Sequence, residues 1–274
     1  MKRYLSPDKI DRVSKDFSFL IKRIRNSFGE LDLRIRDGYF NLYFKGNSLA
    51  KVTVKRDGYK VTIHKKFATD DVYLGDSRFE KEWLLRDDYK EFQLSPKLLR
   101  PFFQKKYLDK LCRNIARVNY SEEITFEQML ITDNLERTDF IIIDRQVTEP
   151  AFRGKKVDLL ALRNHSGNKF QFEIIEVKLG KNPELSHDVV YQLNNYLERI
   201  RPHFQDWKSS YENTYRQMKR LGLFDLPAYE EIVILPGVTG LIAVGWYSGV
   251  AQQQIEELKP YLGDIEVKLF TNNL

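Results

Sequence analysis

The chain has 274 residues, a net charge of +6 and 42% hydrophobic residues, so it has enough apolar surface to offset the entropy lost on ordering. This composition excludes a disordered, collagenous or low-complexity chain. The single cysteine, Cys112, excludes an internal disulfide framework, a cysteine-only zinc site and a four-cysteine iron–sulfur cluster. The first 20 residues are charged throughout and no stretch approaches the ~18 apolar residues of a membrane span. We therefore expect a cytoplasmic protein with no membrane partner.

The charge is unevenly distributed along the chain. Residues 1–66 carry 17 Lys and Arg against 7 Asp and Glu, a net charge of +10, whereas residues 67–274 carry 28 against 32, a net charge of −4. A basic segment joined to a slightly acidic remainder predicts a module that faces a polyanion such as nucleic acid. A solvated basic face without a ligand is the alternative interpretation.

The first quarter predicts a short helix followed by a sheet. The helix has one apolar face, made by Ile10, Val13, Phe17, Leu20, Ile21 and Ile24. Over residues 31–67, four alternating runs are separated by Asp37-Gly38, Gly46-Asn47 and Asp57-Gly58, which predicts an antiparallel meander. We expect its outward face to hold phosphates and stack bases through Arg34, Arg36, Lys45, Lys51, Lys55, Lys65, Tyr39, Tyr43 and Tyr59. Any half-buried sheet shows the same alternation, so this function is one of two interpretations.

A domain boundary is predicted downstream of this sheet. Residues 68–95 are polar and irregular, and Ser95-Pro96 is typical of the start of a helix, here running toward Val118. Cys112 falls on the apolar side of that helix, which favours a core thiol. The predicted organisation is a basic β-rich module over residues 1–94, a connecting helix over 95–120 and a second domain over 121–274.

The second domain has an α/β pattern. A helix is predicted from Ser121 or Thr125, followed by strands in FIIIDRQV, VDLLALR and KFQFEIIEVKL, a helix in HDVVYQLNNYLERI, and then a second helix, a strand, a helix and a closing strand IEVKLF. The second helix carries an aromatic stripe that predicts core packing, with a homodimer face as the alternative: Phe204, Trp207, Tyr211 and Met218.

Candidate chemistry begins with an acid and an amine on one strand. Of five Asp/Glu-x-Lys triplets, only Glu176-Val177-Lys178 ends an otherwise apolar strand face; the others begin at Asp88, Asp206, Glu257 and Glu266. Alternation places Glu176 and Lys178 on the same face, a costly position for ionised groups unless a metal or substrate compensates them. The Glu266 triplet lacks a preceding Asp-bearing hairpin strand, so we expect an exposed edge strand there.

A second acid is predicted beside the first. Asp158 lies on the preceding strand, and a hairpin between the two strands brings it next to Glu176. Two carboxylates on adjacent strands suit Mg²⁺ or Mn²⁺, which would take its other oxygen ligands from water and a phosphodiester. Lys178 could then orient or deprotonate the attacking water and offset charge on the phosphorus. An ordinary salt bridge at the strand edge is the alternative interpretation.

These residues carry a resemblance to a known family. Asp158, Glu176-x-Lys178, and Gln192 and Tyr196 in QLNNY resemble the PD-(D/E)XK nuclease superfamily, in its RecB-like branch with the QxxxY motif. Residues 121–200 are similar to the nuclease domain of NucS/EndoMS-type DNA endonucleases, which also follows a β-rich DNA-binding module. The resemblance implies a restriction-endonuclease-like core, a mixed sheet flanked by helices. The proline that usually precedes the first acid is Val157 here.

The resemblance also implies roles for single residues. Asp158 and Glu176 would bind Mg²⁺ or Mn²⁺, Lys178 would be the catalytic lysine, and Gln192 and Tyr196 would support the site or hold DNA. The family often adds an acid from the helix before the first core strand, for which Glu127 is the best match and Glu122 and Glu123 are competitors. The four histidines show no metal-type pairing: His64, His165, His187 and His203.

The sequence thus predicts a metal-dependent DNA endonuclease that hydrolyses phosphodiester bonds in DNA repair, restriction or phage defence. DNA is favoured over RNA as the partner. The alternative function is a catalytically silent PD-(D/E)XK-fold protein that binds nucleic acid or regulates. Intact Asp158, Glu176 and Lys178 favour the enzyme.

Overall fold

The computed structural model describes residues 2–80, 83–118, 121–152, 154–224 and 229–271. The chain forms two compact units. The first contains residues 2–124 together with 217–224, and the second contains residues 125–216 together with 229–271. Among the described residues, no helix combines the length and apolar character needed to cross a membrane.

Within its described residues, the first unit has a six-stranded antiparallel sheet, two helices that precede the sheet in the chain and two that follow it. The sheet order is β1-β2-β3-β4-β6-β5. The elements are α1 (Pro7–Asp16), α2 (Ser18–Arg25), β1 (Leu31–Arg36), β2 (Tyr39–Phe44), β3 (Asn47–Lys55), β4 (Gly58–His64), β5 (Trp83–Arg86), β6 (Tyr89–Leu94), α3 (Pro96–Phe102) and α4 (Lys105–Val118).

The predicted meander is confirmed as β1 to β4, with Gly38 and Gly46 at positive φ in the first two turns. The predicted N-terminal helix is instead two helices, because the backbone leaves the helical conformation at Phe17 (φ −108°, ψ 14°). Its six apolar positions are nevertheless all buried. The periodicity therefore predicted the buried face correctly but not the break.

The predicted outward face of this sheet is partly wrong. Arg34, Arg36, Tyr43 and Tyr59 are buried, whereas Lys45, Lys51, Lys55 and Lys65 are exposed and Tyr39 is half-buried. Nε of Arg34 donates to Asp32 at 2.8 Å, and the Tyr59 hydroxyl donates to Asp16 at 2.6 Å. These carboxylates replace water as partners, so burial of the polar groups is tolerated.

Residues 68–95 were expected to be irregular, but they contain β5 and β6, and β6 pairs with β4. Lys90 lies on the inward side of β6 beside Phe92 and disrupts the alternation that would reveal a strand. Its ammonium donates to Asp70 at 2.6 Å and lies 4.1 Å from the centre of the Trp83 ring.

The expected single connecting helix is also two helices, α3 and α4. Pro101 lies inside α3, where it cannot donate a backbone hydrogen bond and its ring crowds the preceding turn, and the helix ends one residue later. Cys112, on α4, is half-buried, and burial raises the pKa of its thiol to about 12.

The second unit is built on a five-stranded mixed sheet in the order β11-β10-β9-β8-β7. Strands β7, β8 and β9 are antiparallel, whereas β9, β10 and β11 are parallel. The elements are α5 (Glu122–Asp133), whose first three residues belong to the first unit, β7 (Phe140–Thr148), β8 (Lys156–Ser166), β9 (Lys169–Leu179), α6 (His187–Ile200), α7 (Phe204–Arg220), whose last four residues belong to the first unit, β10 (Val233–Gly245), α8 (Ser248–Leu258) and β11 (Glu266–Phe270). The predicted α/β class is thus confirmed.

Helices pack against this sheet through its apolar side chains. Phe126 on α5 belongs to a buried cluster with Ile175 and Val177 of β9. Gly245 is required beside it, because a Cβ there would lie 2.5 Å from the Phe126 ring. Phe172 meets Tyr211 of the aromatic stripe, with ring centroids 5.6 Å apart, so the predicted core role of the stripe is confirmed there.

Candidate active site

The two predicted metal-binding acids lie on neighbouring strands. The register of β8 and β9 pairs Leu159 with Ile175, so Asp158 and Glu176 occupy the next positions of the two strands. Oδ2 of Asp158 accepts a hydrogen bond from the backbone N–H of Val177 at 2.9 Å. This bond fixes the Asp158 carboxylate against β9, beside Glu176.

Glu176 is buried and is contacted from two directions. Its Oε1 accepts hydrogen bonds from Nζ of Lys178 at 2.9 Å and from Nε2 of Gln192 at 2.7 Å. Lys178 is also buried, and its ammonium lies 3.2 Å from the exposed carboxylate of Glu184. Both donors address the same oxygen, so the lysine and the helical glutamine together set the orientation of the Glu176 carboxylate.

Helix α6 is tied to the strands through Gln192 and Tyr196. Nε2 of Gln192 lies 3.0 Å from the Tyr196 hydroxyl, which donates to the carbonyl of Lys156 at 2.9 Å. Burial, together with the negative charges of Glu176 and Asp158, raises the pKa of Tyr196 to about 12. The tyrosine therefore stays neutral and able to donate at physiological pH.

Glu127 brings a third carboxylate to this region from α5. Burial is the main reason that its pKa rises to about 7, and the negative charge of Asp158 raises it further. Nη2 of Arg145 and Nε2 of Gln146 each donate to Glu127 at 3.0 Å and oppose that rise. Glu122 and Glu123, the competing candidates, are half-buried at the first turn of α5.

A buried polar network around Glu127 was missed by the sequence analysis. Arg145 is fully buried and its Nη1 donates to Gln128 at 2.7 Å. Asp144 accepts from the backbone N–H of Arg145 at 2.7 Å and from the Tyr211 hydroxyl at 3.0 Å. The sequence feature that could have predicted this network is the Asp144-Arg145 dipeptide inside an apolar strand, since charged side chains are seldom buried without partners.

The donor set fits a hard divalent cation that retains water. Asp158 and Glu176 offer carboxylate oxygens, and the mutual repulsion of neighbouring acids favours a cation between them. Across the residues that the structure describes, no group of three or more His, Cys, Asp or Glu is arranged to hold a metal ion. A cation here would therefore take most of its ligands from water or substrate.

The four histidines and the Glu266 triplet, which the sequence did not favour as site residues, lie elsewhere in the chain. His165, His187 and His203 are exposed, and His64 belongs to β4 of the first unit. Glu266 lies on β11, an outer strand of its sheet; it is exposed and 3.4 Å from Arg163, which agrees with the expected edge strand.

Comparison of the chain with family models, curated proteins and solved structures finds no match in any of the three. The function is therefore argued from the residues and their geometry.

Proposed function

We propose that the chain is a metal-dependent DNA endonuclease that hydrolyses phosphodiester bonds. One observation carries the proposal: residues from two strands and one helix meet at the Glu176 carboxylate. Asp158 lies beside it on β8, Lys178 donates to it at 2.9 Å and Gln192 donates to it at 2.7 Å. The PD-(D/E)XK resemblance implies roles for the same residues.

Asp158 and Glu176 would hold Mg²⁺ or Mn²⁺, which supplies positive charge to the scissile phosphate and acidifies its bound water. Lys178 would orient or deprotonate the attacking water and offset negative charge on the phosphorus. Gln192 and Tyr196 would keep the Glu176 carboxylate and α6 in fixed positions. Glu127 would add negative charge that attracts the cation.

The order of elements supports the same proposal. Helix α5 precedes three antiparallel strands, α6 follows them, and β10 then pairs in parallel with β9. A mixed sheet flanked by helices is the architecture that the PD-(D/E)XK resemblance implies. Repair, restriction and phage defence, all cytoplasmic, remain the proposed settings.

The first unit would bind the nucleic acid. Lys51 is exposed, and its ammonium lies 4.1 Å from the centre of the Tyr39 ring, so a cation and an aromatic face are presented together. Lys55 and Lys45 add exposed charge, and Lys65 is exposed although it pairs with Asp88 at 2.8 Å. Such a surface suits phosphates and bases.

A catalytically silent protein that binds nucleic acid or regulates is the second candidate function. It is favoured by the finding that, over the described part of the chain, no three acids or histidines form a metal-binding group. In that case Lys178 would simply neutralise Glu176.

Closed circular DNA separates the two functions. With Mg²⁺ or Mn²⁺ the wild type should nick the circle, and EDTA should abolish nicking. Asp158→Asn should reduce the rate by about 10²- to 10⁴-fold, because a ligand that stabilises the transition state is lost. Glu266→Ala is the control and should nick normally. The silent function would be established if the wild type binds DNA without nicking it and if Mn²⁺ does not change its melting temperature, either with or without DNA.

A further inference from the structure

Strand β7 is irregular where it passes Glu127. Its pairing with β8 shifts register between Ile142 and Asp144, and Gln146 has φ +48°, in the left-handed region. In a regular strand, neighbouring side chains point to opposite faces. Arg145 and Gln146 are neighbours, yet both donate to Glu127. The irregular backbone therefore directs two successive side chains to one carboxylate.

The two donors contact different oxygens of Glu127. Nη2 of Arg145 reaches Oε2 at 3.0 Å, and Nε2 of Gln146 reaches Oε1 at 3.0 Å. Arg145 is itself held by Gln128, at 2.7 Å from its other terminal nitrogen. With both oxygens engaged, rotation of the Glu127 carboxylate is restricted.

Residue 146 is a glutamine although its backbone conformation favours glycine, which indicates a contribution from its side chain. Left-handed backbone is strained for most residues other than glycine, Asn and Asp. Glycine would adopt the backbone conformation at this position without strain. Compared with glycine, the glutamine side chain adds the hydrogen bond from its amide to Glu127.

We propose that Arg145 and Gln146 are positioning residues that fix the orientation of the Glu127 carboxylate, so that its negative charge strengthens cation binding by the Asp158 and Glu176 pair. This inference rests on the proposed function. Outer groups that orient a charged side chain near a metal commonly change metal affinity by 10- to 100-fold when they are removed.

Gln146→Gly is the sharpest test, because glycine adopts the left-handed backbone of residue 146 without strain, and the variant removes the side chain that donates to Glu127. The full-length variant should need about tenfold more Mn²⁺ for half of the Mn²⁺-induced rise in melting temperature and for half-maximal nicking. Phe28→Gly is the matched control, because Phe28 also has positive φ (50°) but is 86% exposed in the first unit. Both Mn²⁺ midpoints should be unchanged there.

A double-mutant cycle shows whether the effect passes through Glu127. Glu127→Gln should raise the same midpoints, and adding Gln146→Gly to it should have no further effect. Arg145→Lys, which keeps the charge but not the forked donor geometry, should raise them as well. It is a supporting variant only, since Arg145 is fully buried and its replacement can impair folding.

The outcomes distinguish this inference from the function on which it rests. Equal Mn²⁺ midpoints for Gln146→Gly and wild type, or additive effects in the cycle, would overturn the positioning role while the nuclease proposal stands. A wild type that neither responds to Mn²⁺ nor nicks DNA would overturn both.

Discussion

Buried Glu127 in the second unit differs from the paired carboxylates of the first unit in the direction of its pKa shift. In the first unit, hydrogen bonds from Arg78, Lys65 and Lys60 hold the pKa values of Asp76, Asp88 and Glu91 below their usual range. In the second unit, burial and the negative charge of Asp158 raise the pKa of Glu127 to about 7. These three acids of the first unit have Lys or Arg as partners, whereas Glu127 has Arg145 as a partner and is also subject to the negative charge of Asp158.

This difference is local to the candidate active site, because the second unit also contains ordinary pairs. Asp139, paired with Arg137 at 2.6 Å, has a lowered pKa. Paired acids support folding, whereas clustered buried acids oppose it and are accounted for by a ligand of opposite charge. Under the proposed function, the paired acids would stabilise the fold and Glu127 would serve the metal site.

The largest predicted effect is on catalysis, at Glu176. Glu176→Gln should lower the nicking rate about 10³-fold, equivalent to about 4 kcal/mol, because the metal site loses an ionised ligand. Its free energy of unfolding without metal should fall by no more than about 3 kcal/mol, because the ion pair with Lys178 is lost but the amide oxygen can still accept from Lys178 and Gln192. Nicking assays and urea unfolding measure the two quantities. Glu266→Gln, the same change on β11, should affect neither, and a slow but folded Glu266 variant would mean that the wrong triplet was chosen.

The second prediction concerns stability in the first unit. Asp76 accepts hydrogen bonds from Arg78 at 2.7 Å and from the Tyr107 hydroxyl at 2.6 Å. Asp76→Asn should lower the free energy of unfolding by about 2 kcal/mol at pH 7, because charge-assisted bonds are weakened.

The difference between wild type and Asp76→Asn should depend on pH with a known sign. A lowered folded-state pKa adds stability that is fully present above the ordinary value of 3.8 and is lost as pH falls toward the folded value. Urea unfolding should therefore show the two proteins converging as the pH drops below 3.8. Asp37→Asn, which alters an exposed pair with Lys2, is the control and should change stability by less than about 0.5 kcal/mol. A constant gap across this range would contradict the electrostatic explanation.

The third prediction tests whether the basic surface of the first unit contacts phosphates. Neutralising Lys51, Lys55 and Lys65 together should flatten the salt dependence of DNA affinity, by roughly 0.7 to 0.9 in log–log slope for each lost contact. Fluorescence anisotropy at several salt concentrations gives the slope. An unchanged slope would remove these three lysines from the proposed surface.

The smallest predicted effect is at Lys90, which is buried although its partner Asp70 is 91% exposed. Lys90→Met should change the free energy of unfolding by less than about 1 kcal/mol, because Asp70 can return to water and the apolar replacement needs no partner. Urea unfolding measures this. A loss above about 2 kcal/mol would mean that the pair, rather than the packing, stabilises β6.

The sequence predicted strands from two patterns. The four strands of the meander alternate apolar and polar residues, whereas β7 to β9 carry runs of apolar residues, and each of these strands was found. Strand β6 was missed because Lys90 occupies an inward position. The outward assignment of Tyr59 was wrong because Tyr59 shares its face with Val61 and Ile63, all three of which are buried.

Within the candidate site, the number of residues between Asp158 and Glu176 predicted that they lie at neighbouring positions of two paired strands, because hairpin register follows from local sequence. The hydrogen bonds from Arg145 and Gln146 to Glu127 could not be predicted in the same way. They depend on a register shift in β7 and on the left-handed backbone of Gln146, and regular alternation would have sent Arg145 and Gln146 to opposite faces.

The strand order of the second unit also bears on how the chain folds. Ile175 of β9 pairs with Leu159, 16 positions earlier, and with Leu241, 66 positions later. Closing the short hairpin costs less loop entropy than closing the long crossover, so β8 and β9 can associate early. On a ribosome, Asp158 and Glu176 would thus come together while β10 and β11 are still being synthesised. Until β10 arrives, one edge of β9 is open to pairing with another chain, so misassembly can occur during this interval of biosynthesis.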